Sequence, residues 1–287
     1  MRPARVPRGG WAPAAGRGWA VLLSVALLWA GAARADRAGQ MTVLIEALRI
    51  DDTLQIMRSE ALDHGTGLAR DMMPEAEIAG WTRHLADIHD PAAMRELVVG
   101  TLKKELAEVP LAPLTAFFTS SPGRRIVAAE LAARKAFLDR AIEDAAREDH
   151  AVLAETGAPI LGRIETLIAD SDLIERNVTG ILNANLMLSR GLAEGGAHDL
   201  SLDDILRETR AQEDSLRAES GAWIRAYLLA AYRPLQLQDV DRYIAFWRSP
   251  PGRALNRALF AGFDRMNAQL SYLLGWSMAR YRRGQTL

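Results

Sequence analysis

The sequence predicts an all-α protein in which two homologous helical-bundle repeats follow a cleavable signal peptide. Helices are predicted because apolar residues recur three and four positions apart, whereas alternating β-branched runs and Asn-Gly or Asp-Gly hairpin turns are missing. The repeats are predicted by an internal similarity between residues 36–157 and residues 158–287. With 287 residues, 49% of them apolar, the chain is long enough to bury a sizeable core without disulfides.

The first 35 residues have the pattern of a signal peptide. Arginines without acids precede an apolar run at residues 19–31, and Ala33-Arg34-Ala35 forms a small-residue cleavage site before Asp36. As a helix the run would span about 20 Å, less than the roughly 30 Å of a bilayer's hydrocarbon core. An uncleaved anchor is the alternative. We expect cleavage near Ala35 and a periplasmic protein exported by the general secretion route, since no adjacent arginine pair marks the twin-arginine route.

The charge and composition of residues 36–287 exclude several classes of function. This part holds 30 basic and 36 acidic side chains, a formal charge of −6, which argues against nucleic acid or an anionic membrane surface as the main partner. No run of eighteen apolar residues follows the leader, so we expect no transmembrane segment in the mature chain. Cysteine is absent, which excludes disulfides, thiolate zinc sites and cysteine nucleophiles.

A tandem duplication is predicted by residues that recur 129 positions apart. The six identical positions are Ala116, Phe117, Ser120, Pro122, Gly123 and Arg124, matched by Ala245, Phe246, Ser249, Pro251, Gly252 and Arg253. A second similarity, at an offset of 119, relates residues 45–48 to residues 164–167. The second repeat then needs ten extra residues, which we place in the loop-like stretch 191–199. The junction of the repeats falls near Gly157-Ala158-Pro159.

Each repeat contains a short motif that predicts a tight corner between two helices, FFTSSPGRR at residues 117–125 and FWRSPPGRA at residues 246–254. We expect one helix to end at Thr119 and the next to be capped by Ser121, with Pro122 at its first position. In the second repeat Ser249 and Pro250 would take these roles one residue earlier. We interpret the motif as structural, with ligand binding as the alternative. Its residues are Phe117, Phe118, Ser121, Pro122, Gly123, Arg124, Phe246, Trp247, Ser249, Pro251, Gly252 and Arg253.

At these residues the chain resembles the bacterial family called domain of unknown function 2059. The opening LIEALRIDDTLQIM at residues 44–57 and the leucine-rich stretches before the corner also match its pattern. The resemblance extends over residues 43–138 and more loosely over the second repeat, where the corner is retained. It implies an exported, helical protein, and it implies no particular reaction because the family has none assigned.

Periodicity and capping signals predict further details of the helices. One long helix face should carry Leu255, Leu259, Phe263, Met266, Leu270 and Leu273, and a shorter face in the first repeat should carry Val127, Leu131, Leu138 and Ile142. Asp51 and Asp170 are candidate N-caps, and Ser201 begins a candidate capping box.

No pattern in the sequence predicts a catalytic residue, a cofactor or a metal. H-E-x-x-H, Glu-x-x-His, G-x-S-x-G, the P-loop and G-x-G-x-x-G are all missing. His84, Asp87, His89 and Asp90 form the most metal-like cluster, but Pro91 ends the helix beside them, so we interpret them as a surface face.

Three function hypotheses follow. The leading one is a non-enzymatic periplasmic protein that binds an envelope protein or an apolar ligand in a groove between the repeats. The four tryptophans after residue 35 motivate it, since aromatic residues pack cores but also line such grooves; they are Trp81, Trp223, Trp247 and Trp276. The alternative is a hydrolase of unrecognised type with carboxylates between helices, for which two buried carboxylates of raised pKa in one cavity would be the sign. The third is a purely structural or stress-related envelope protein.

Overall fold

The computed structural model describes residues 36–72, 74–196 and 202–281, and every regular element in these ranges is a helix. The predicted all-α fold class is therefore confirmed. The chain divides into two units, Met1–Gln40 and Met41–Leu287. The predicted signal peptide, residues 1–35, and Ser201 of the predicted capping box lie outside the described residues. None of the described helices is both long and apolar enough to cross a membrane.

The helices follow one another through short turns. They are residues 36–47 (α1), Ile50–Met72 (α2), Glu75–Ile88 (α3), Pro91–Glu105 (α4), Ala112–Thr119 (α5), Ser121–Ala136 (α6), Arg140–Thr156 (α7), Pro159–Ser171 (α8), Leu173–Glu194 (α9), Leu202–Ala211 (α10), Glu213–Tyr232 (α11), Leu237–Arg248 (α12) and Pro250–Tyr281 (α13).

The two corners are built in the same way, and the cap of the first differs from the prediction. Helix α5 ends at Thr119, but Ser120 caps α6, because its Oγ accepts from the N–H of Gly123 at 3.2 Å. A capping hydroxyl reaches the second or third N–H of the helix, and Gly123 is the third residue of α6. Ser249 caps α13 through Gly252 at 3.1 Å. The predicted shift of one residue between the corners was therefore wrong.

Each corner is closed by further contacts between the two helices that it joins. The hydroxyls of Ser120 and Ser249 donate to the carbonyl oxygens of Phe117 and Phe246, at 2.5 Å and 2.6 Å. Arg124 donates to the carbonyl of Thr119, and the arginine of the second corner, Arg253, donates to Arg248. These carbonyls end α5 and α12 and have no partner within their own helix, so the motif arginine satisfies a group that the corner exposes.

Three predicted helix details were wrong. Helix α6 ends at Ala136, because Asp139 caps a new helix by accepting from Ala141 N–H at 2.9 Å, and Leu138 and Ile142 are 42% and 46% exposed. Asp51 is the second residue of α2 and binds Arg95, so it is no N-cap.

The other two errors lie in the second half. Asp170 lies in the last turn of α8 and accepts from Arg248 Nε at 2.7 Å, which places it at the wrong end of the helix for an N-cap. Gly191 belongs to α9 and not to a loop, because α9 continues to Glu194. A turn-like composition was misleading here, since this glycine serves helix packing.

A single hydrophobic core joins the two halves of Met41–Leu287. It includes Leu102 and Ile126 from the first half and Leu228 and Leu255 from the second, all less than 5% exposed. Helix α13 packs along α9 and also against α4, while α11 packs against α6 and α7. Gly157, in the left-handed conformation at a φ of 66°, ends α7 at the predicted junction. The division into repeats at 157 and 158 stays a prediction.

Residues related by the offset of 129 meet one another in this core. The rings of Phe117 and Phe246 stack with centroids 4.3 Å apart, and Phe118 lies edge-on to Trp247 at 6.3 Å. Equivalent residues meet when two similar units pair about a twofold axis, which is the arrangement that a duplicated unit would produce. The tandem duplication itself stays a prediction.

Candidate functional site

A cavity of about 570 Å³ lies between the two halves and has mostly apolar walls. Helices α2 and α6 form its wall on the side of the first half, and α9, α11, α12 and α13 form its wall on the side of the second. This volume falls within the range of sites that hold small molecules. The core of the protein therefore contains space for a ligand.

Aromatic side chains form much of this wall. They are Phe118, Trp223, Tyr227, Tyr243, Trp247, Phe260 and Phe263. Trp223 and Tyr227 stack with centroids 5.1 Å apart, which presents their remaining surface as one flat panel. The cavity is therefore suited to flat or apolar groups.

The predicted motif residues divide between the cavity and the corners. Phe118 and Trp247 line the cavity. Phe117 and Phe246 form the stack between the two corners. The serines, prolines, glycines and arginines of the motif form the corners: Ser121, Pro122, Gly123 and Arg124 in the first, and Ser249, Pro251, Gly252 and Arg253 in the second.

Glu130 places a carboxylate among tyrosines in the cavity wall. Its two oxygens accept hydrogen bonds from Tyr232 Oη at 2.6 Å and from Tyr243 Oη at 3.4 Å. Tyr227 Oη donates to the backbone carbonyl of Glu130 at 3.1 Å. Burial raises the pKa of Glu130 from 4.5 to about 7, and the two hydrogen bonds to the carboxylate offset part of the rise. Glu130 therefore changes its charge near neutral pH.

Arg134, one turn further along α6, is the basic side chain nearest to Glu130 on this helix. Its guanidinium binds Glu60 of α2 in an ion pair and lies over the ring of Trp223 at 5.1 Å from the centroid. Both interactions hold it at the wall of the cavity without an ion pair to Glu130. The negative charge of Glu130 is thus left without a cation among the described residues.

A second carboxylate, Asp264 of α13, also lines the cavity. It fits against Gly180 of α9, where an added Cβ would lie only 2.6 Å from Asp264 Oδ1. Burial raises the pKa of Asp264, and the positive charge of Arg176 opposes the rise. Arg176 itself lies over the ring of Phe260 at 5.5 Å. The cavity therefore holds two carboxylates that burial shifts toward the neutral form.

A smaller cavity of about 270 Å³ adjoins the first, since Met57, Ala184 and Asn267 line both. Its other walls include Met94, Met266, Leu270 and Leu274. Methionine side chains adapt their shape to flexible apolar groups. The two cavities together form an elongated apolar space.

Sequence reasoning missed Glu130 and Asp264 as cavity residues, although one signal marked Glu130. The offset of 129 aligns Glu130 with Leu259, so a charge stands where the second repeat has a leucine. Val127, Glu130 and Leu131 also share one face of α6, and both of its neighbours on that face are apolar. A charged residue on an apolar face is either paired or shifted in pKa.

The histidine cluster does not gather around a common point. His84 Nε2 is 2.8 Å from Ser277 Oγ, and the buried His89 holds its Nδ1 2.9 Å from the carbonyl oxygen of Leu85. Burial lowers the pKa of His89. Asp90 caps α4 by accepting from Ala93 N–H at 2.8 Å. Across the described ranges, no group of three or more His, Cys, Asp or Glu side chains is placed to hold a metal ion.

Comparison with known proteins places one part of the chain in a family. Residues 92–148 match the model of the family described as "Uncharacterized protein conserved in bacteria (DUF2059)", and this segment contains the first corner and Glu130. No curated protein matches the chain significantly. No solved structure does either. Over residues 92–148 the chain therefore belongs to the bacterial family called domain of unknown function 2059, which confirms the resemblance carried by the corner motif.

Proposed function

We propose that this protein binds an apolar small molecule in the cavity between its two halves and does so in the periplasm, after loss of residues 1–35. The observation that carries the proposal is the cavity of about 570 Å³, which lies inside one continuous core and has aromatic walls from both halves. A well-packed helical core leaves few voids larger than a water molecule. A space of this size is therefore what a ligand-binding core would contain.

Direct measurement of ligand content and ligand binding tests the proposal. The mature chain would be purified from the periplasm, extracted with organic solvent and examined by mass spectrometry, then titrated with a fluorescent acyl probe. We expect retained lipid or saturable probe binding accompanied by a change in tryptophan emission, since Trp223 and Trp247 line the cavity.

A matched pair of variants shows whether binding occurs in the cavity. Ala184 lines both cavities, so Ala184→Phe should fill the space and abolish binding. Ala132 is exposed on α6, so Ala132→Phe should leave binding unchanged. The proposal fails if the wild type retains no lipid, binds no probe and captures no envelope protein on crosslinking.

The compartment has its own test. The resident protein recovered from the periplasm should have a mass that begins at Asp36, because the A-x-A site precedes that residue. Cytoplasmic protein with an intact leader would contradict this part of the proposal and would leave the ligand cavity unaffected.

A hydrolase is the second candidate, and one observation favours it. Glu130 and Asp264 line the same cavity, and burial raises the pKa of each, which is how proteins prepare a carboxyl group for acid–base catalysis. Chromogenic esters and glycosides would be incubated with the wild type, Glu130→Gln and Asp264→Asn. Turnover by the wild type that either substitution lowers at least a hundredfold would support an enzyme. Absence of turnover across the panel would leave ligand binding as the function.

A further inference from the structure

We propose that the ligand is an amphiphile with an ammonium head group, which Glu130 and the aromatic side chains around it recognise. This inference rests on the proposed function, since it names the chemical class of the molecule that the cavity holds. It depends on three features of the cavity: an unpaired carboxylate, aromatic faces beside it, and an apolar extension away from it.

The first feature is a buried carboxylate that no protein cation neutralises. Glu130 is bound by hydroxyl groups only, from Tyr232 and Tyr243. A buried carboxylate is stable when it is protonated or when it is paired with a positive charge. Arg134, on the same helix, is already paired with Glu60. A cation brought by a ligand would supply the missing partner.

The second feature is the aromatic surface beside this carboxylate. Tyr227, Tyr243 and Trp247 line the same cavity as Glu130, and Tyr243 contacts its carboxylate directly. The face of an aromatic ring attracts cations, and aromatic cages are a common way to bind alkylated ammonium groups. The protein already makes this type of contact within the cavity wall, where Arg134 lies over Trp223.

The charges of the wall disfavour an anionic head group. The ionisable side chains that line the main cavity are the acids Glu130 and Asp264, the tyrosines Tyr227 and Tyr243, and the single base Arg134. Since Arg134 is engaged by Glu60 and Trp223, a carboxylate or phosphate head would meet acids without a free cation. The same site would hold a neutral head without an ionic partner for Glu130.

The third feature is a place for the apolar tail. The smaller cavity adjoins the main one along Met57 and Ala184 and continues between Met94, Met266 and Leu270. A flexible alkyl chain fits a methionine-rich surface, because both can adjust their shape. The head at Glu130 and the tail toward the methionines give the ligand one orientation.

The experiment compares three ligands that share one tail and differ in the head. Decyltrimethylammonium, decanol and decanoate would be titrated below their micelle concentrations into the mature chain, followed by calorimetry and tryptophan emission. At pH 8 we expect decyltrimethylammonium to bind at least tenfold more tightly than either of the others. Below pH 7 its affinity should fall by about tenfold per pH unit, because Glu130 must lose its proton to pair with the cation.

Two variants complete the test. Glu130→Gln keeps the side-chain volume and removes the charge, so it should lose the preference for ammonium while its affinity for decanol stays within twofold. Glu219→Gln, an equal change at a side chain that is 68% exposed, should behave as the wild type. If Glu130→Gln does not fold, the comparison of head groups and the pH profile of the wild type still decide.

The outcomes separate the inference from the function beneath it. Decanoate or decanol binding as tightly as the ammonium, or a Glu130→Gln variant that keeps the ammonium preference, would overturn the inference and leave a ligand-binding cavity in place. If none of the three binds and no lipid is retained on purification, the proposed function fails together with it.

Discussion

Glu130 shows at the scale of one residue how this core departs from simple apolar packing. Its carboxylate is surrounded by the walls of an apolar cavity and by the hydroxyls of Tyr232 and Tyr243. Burial disfavours the charged form, which is why its pKa rises to about 7. The protonated form is therefore the one that stabilises the fold.

Replacing Glu130 by glutamine should change how stability depends on pH. Because the pKa is about 7 in the folded protein and 4.5 as its ordinary value, the stabilisation by the protonated side chain is complete below pH 4.5 and is lost as the pH rises through 7. Glutamine stays neutral, so the wild type should lose on the order of 3 kcal/mol relative to Glu130→Gln over this interval.

Urea unfolding of both proteins at intervals from pH 4.5 to 8 measures this difference. Groups that titrate elsewhere affect both proteins equally and cancel in the comparison. Two stability profiles that run parallel across the whole range would show that the carboxylate is not buried in the way described.

The corners show at the scale of the element how two helices are joined without a loop. Serine caps the second helix, arginine satisfies a carbonyl of the first, and glycine lets the end of the first helix fold over the start of the second. A Cβ on Gly123 would lie 2.1 Å from the carbonyl oxygen of Phe117, and one on Gly252 would lie 2.1 Å from that of Phe246. The lack of a side chain at these two positions is a requirement of the turn.

Alanine at either corner glycine should destabilise the protein. The contact is with backbone atoms that cannot move aside cheaply, so we expect Gly123→Ala and Gly252→Ala each to lower the free energy of unfolding by about 3 kcal/mol. Gly100→Ala is the matched control, since this exposed glycine within α4 has no atom within 4 Å of an added Cβ. There the substitution should stabilise by about 0.5–1 kcal/mol. Chemical denaturation checks all three, and equal effects at the corners and at Gly100 would contradict the argument.

The packing of α13 organises the molecule as a whole. This helix lies against α9 of its own half and crosses α4 of the other, where Gly262 faces Val98. Two glycines bring α9 and α13 close together: a Cβ on Gly191 would lie 2.2 Å from Tyr272 O, and one on Gly275 would lie 2.1 Å from Leu188 O. The close approach of these backbones holds the second half together beneath the cavity.

Because Gly191 and Gly275 serve the same helix crossing, alanine substitutions there should not be additive. Either Gly191→Ala or Gly275→Ala alone should cost about 3 kcal/mol, and the double variant should cost less than the sum by at least about 0.5 kcal/mol, since helices already forced apart tolerate the second methyl group. Gly275→Ala combined with Gly123→Ala is the control pair, and its effects should add. Denaturant unfolding of the four single and double variants measures both couplings, and simple additivity at the helix crossing would refute the shared contact.

The sequence predicted those features that depend on residues near one another in the chain. The all-α class, the long helix α13 and the existence of both corners follow from periodicity and from Ser-Pro-Gly-Arg, which act within a few residues. The errors were local competitions between similar signals. Ser120 and Ser121 were equally able to cap a helix, and Asp139 began a new helix inside an apolar pattern that otherwise continued to Ile142.

The family relationship could also be predicted from the sequence alone, because its signature is a contiguous corner motif within residues 92–148. The cavity could not, because its walls come from six helices that span residues 50–281 and depend on how α6, α11 and α13 pack. The surroundings of Glu130 are decided in the same way, since Tyr232 and Tyr243 lie more than 100 positions away along the chain. Helix periodicity is a property of neighbouring residues, whereas burial of a charge is a property of the helices that surround it, and only the tertiary structure brings those together.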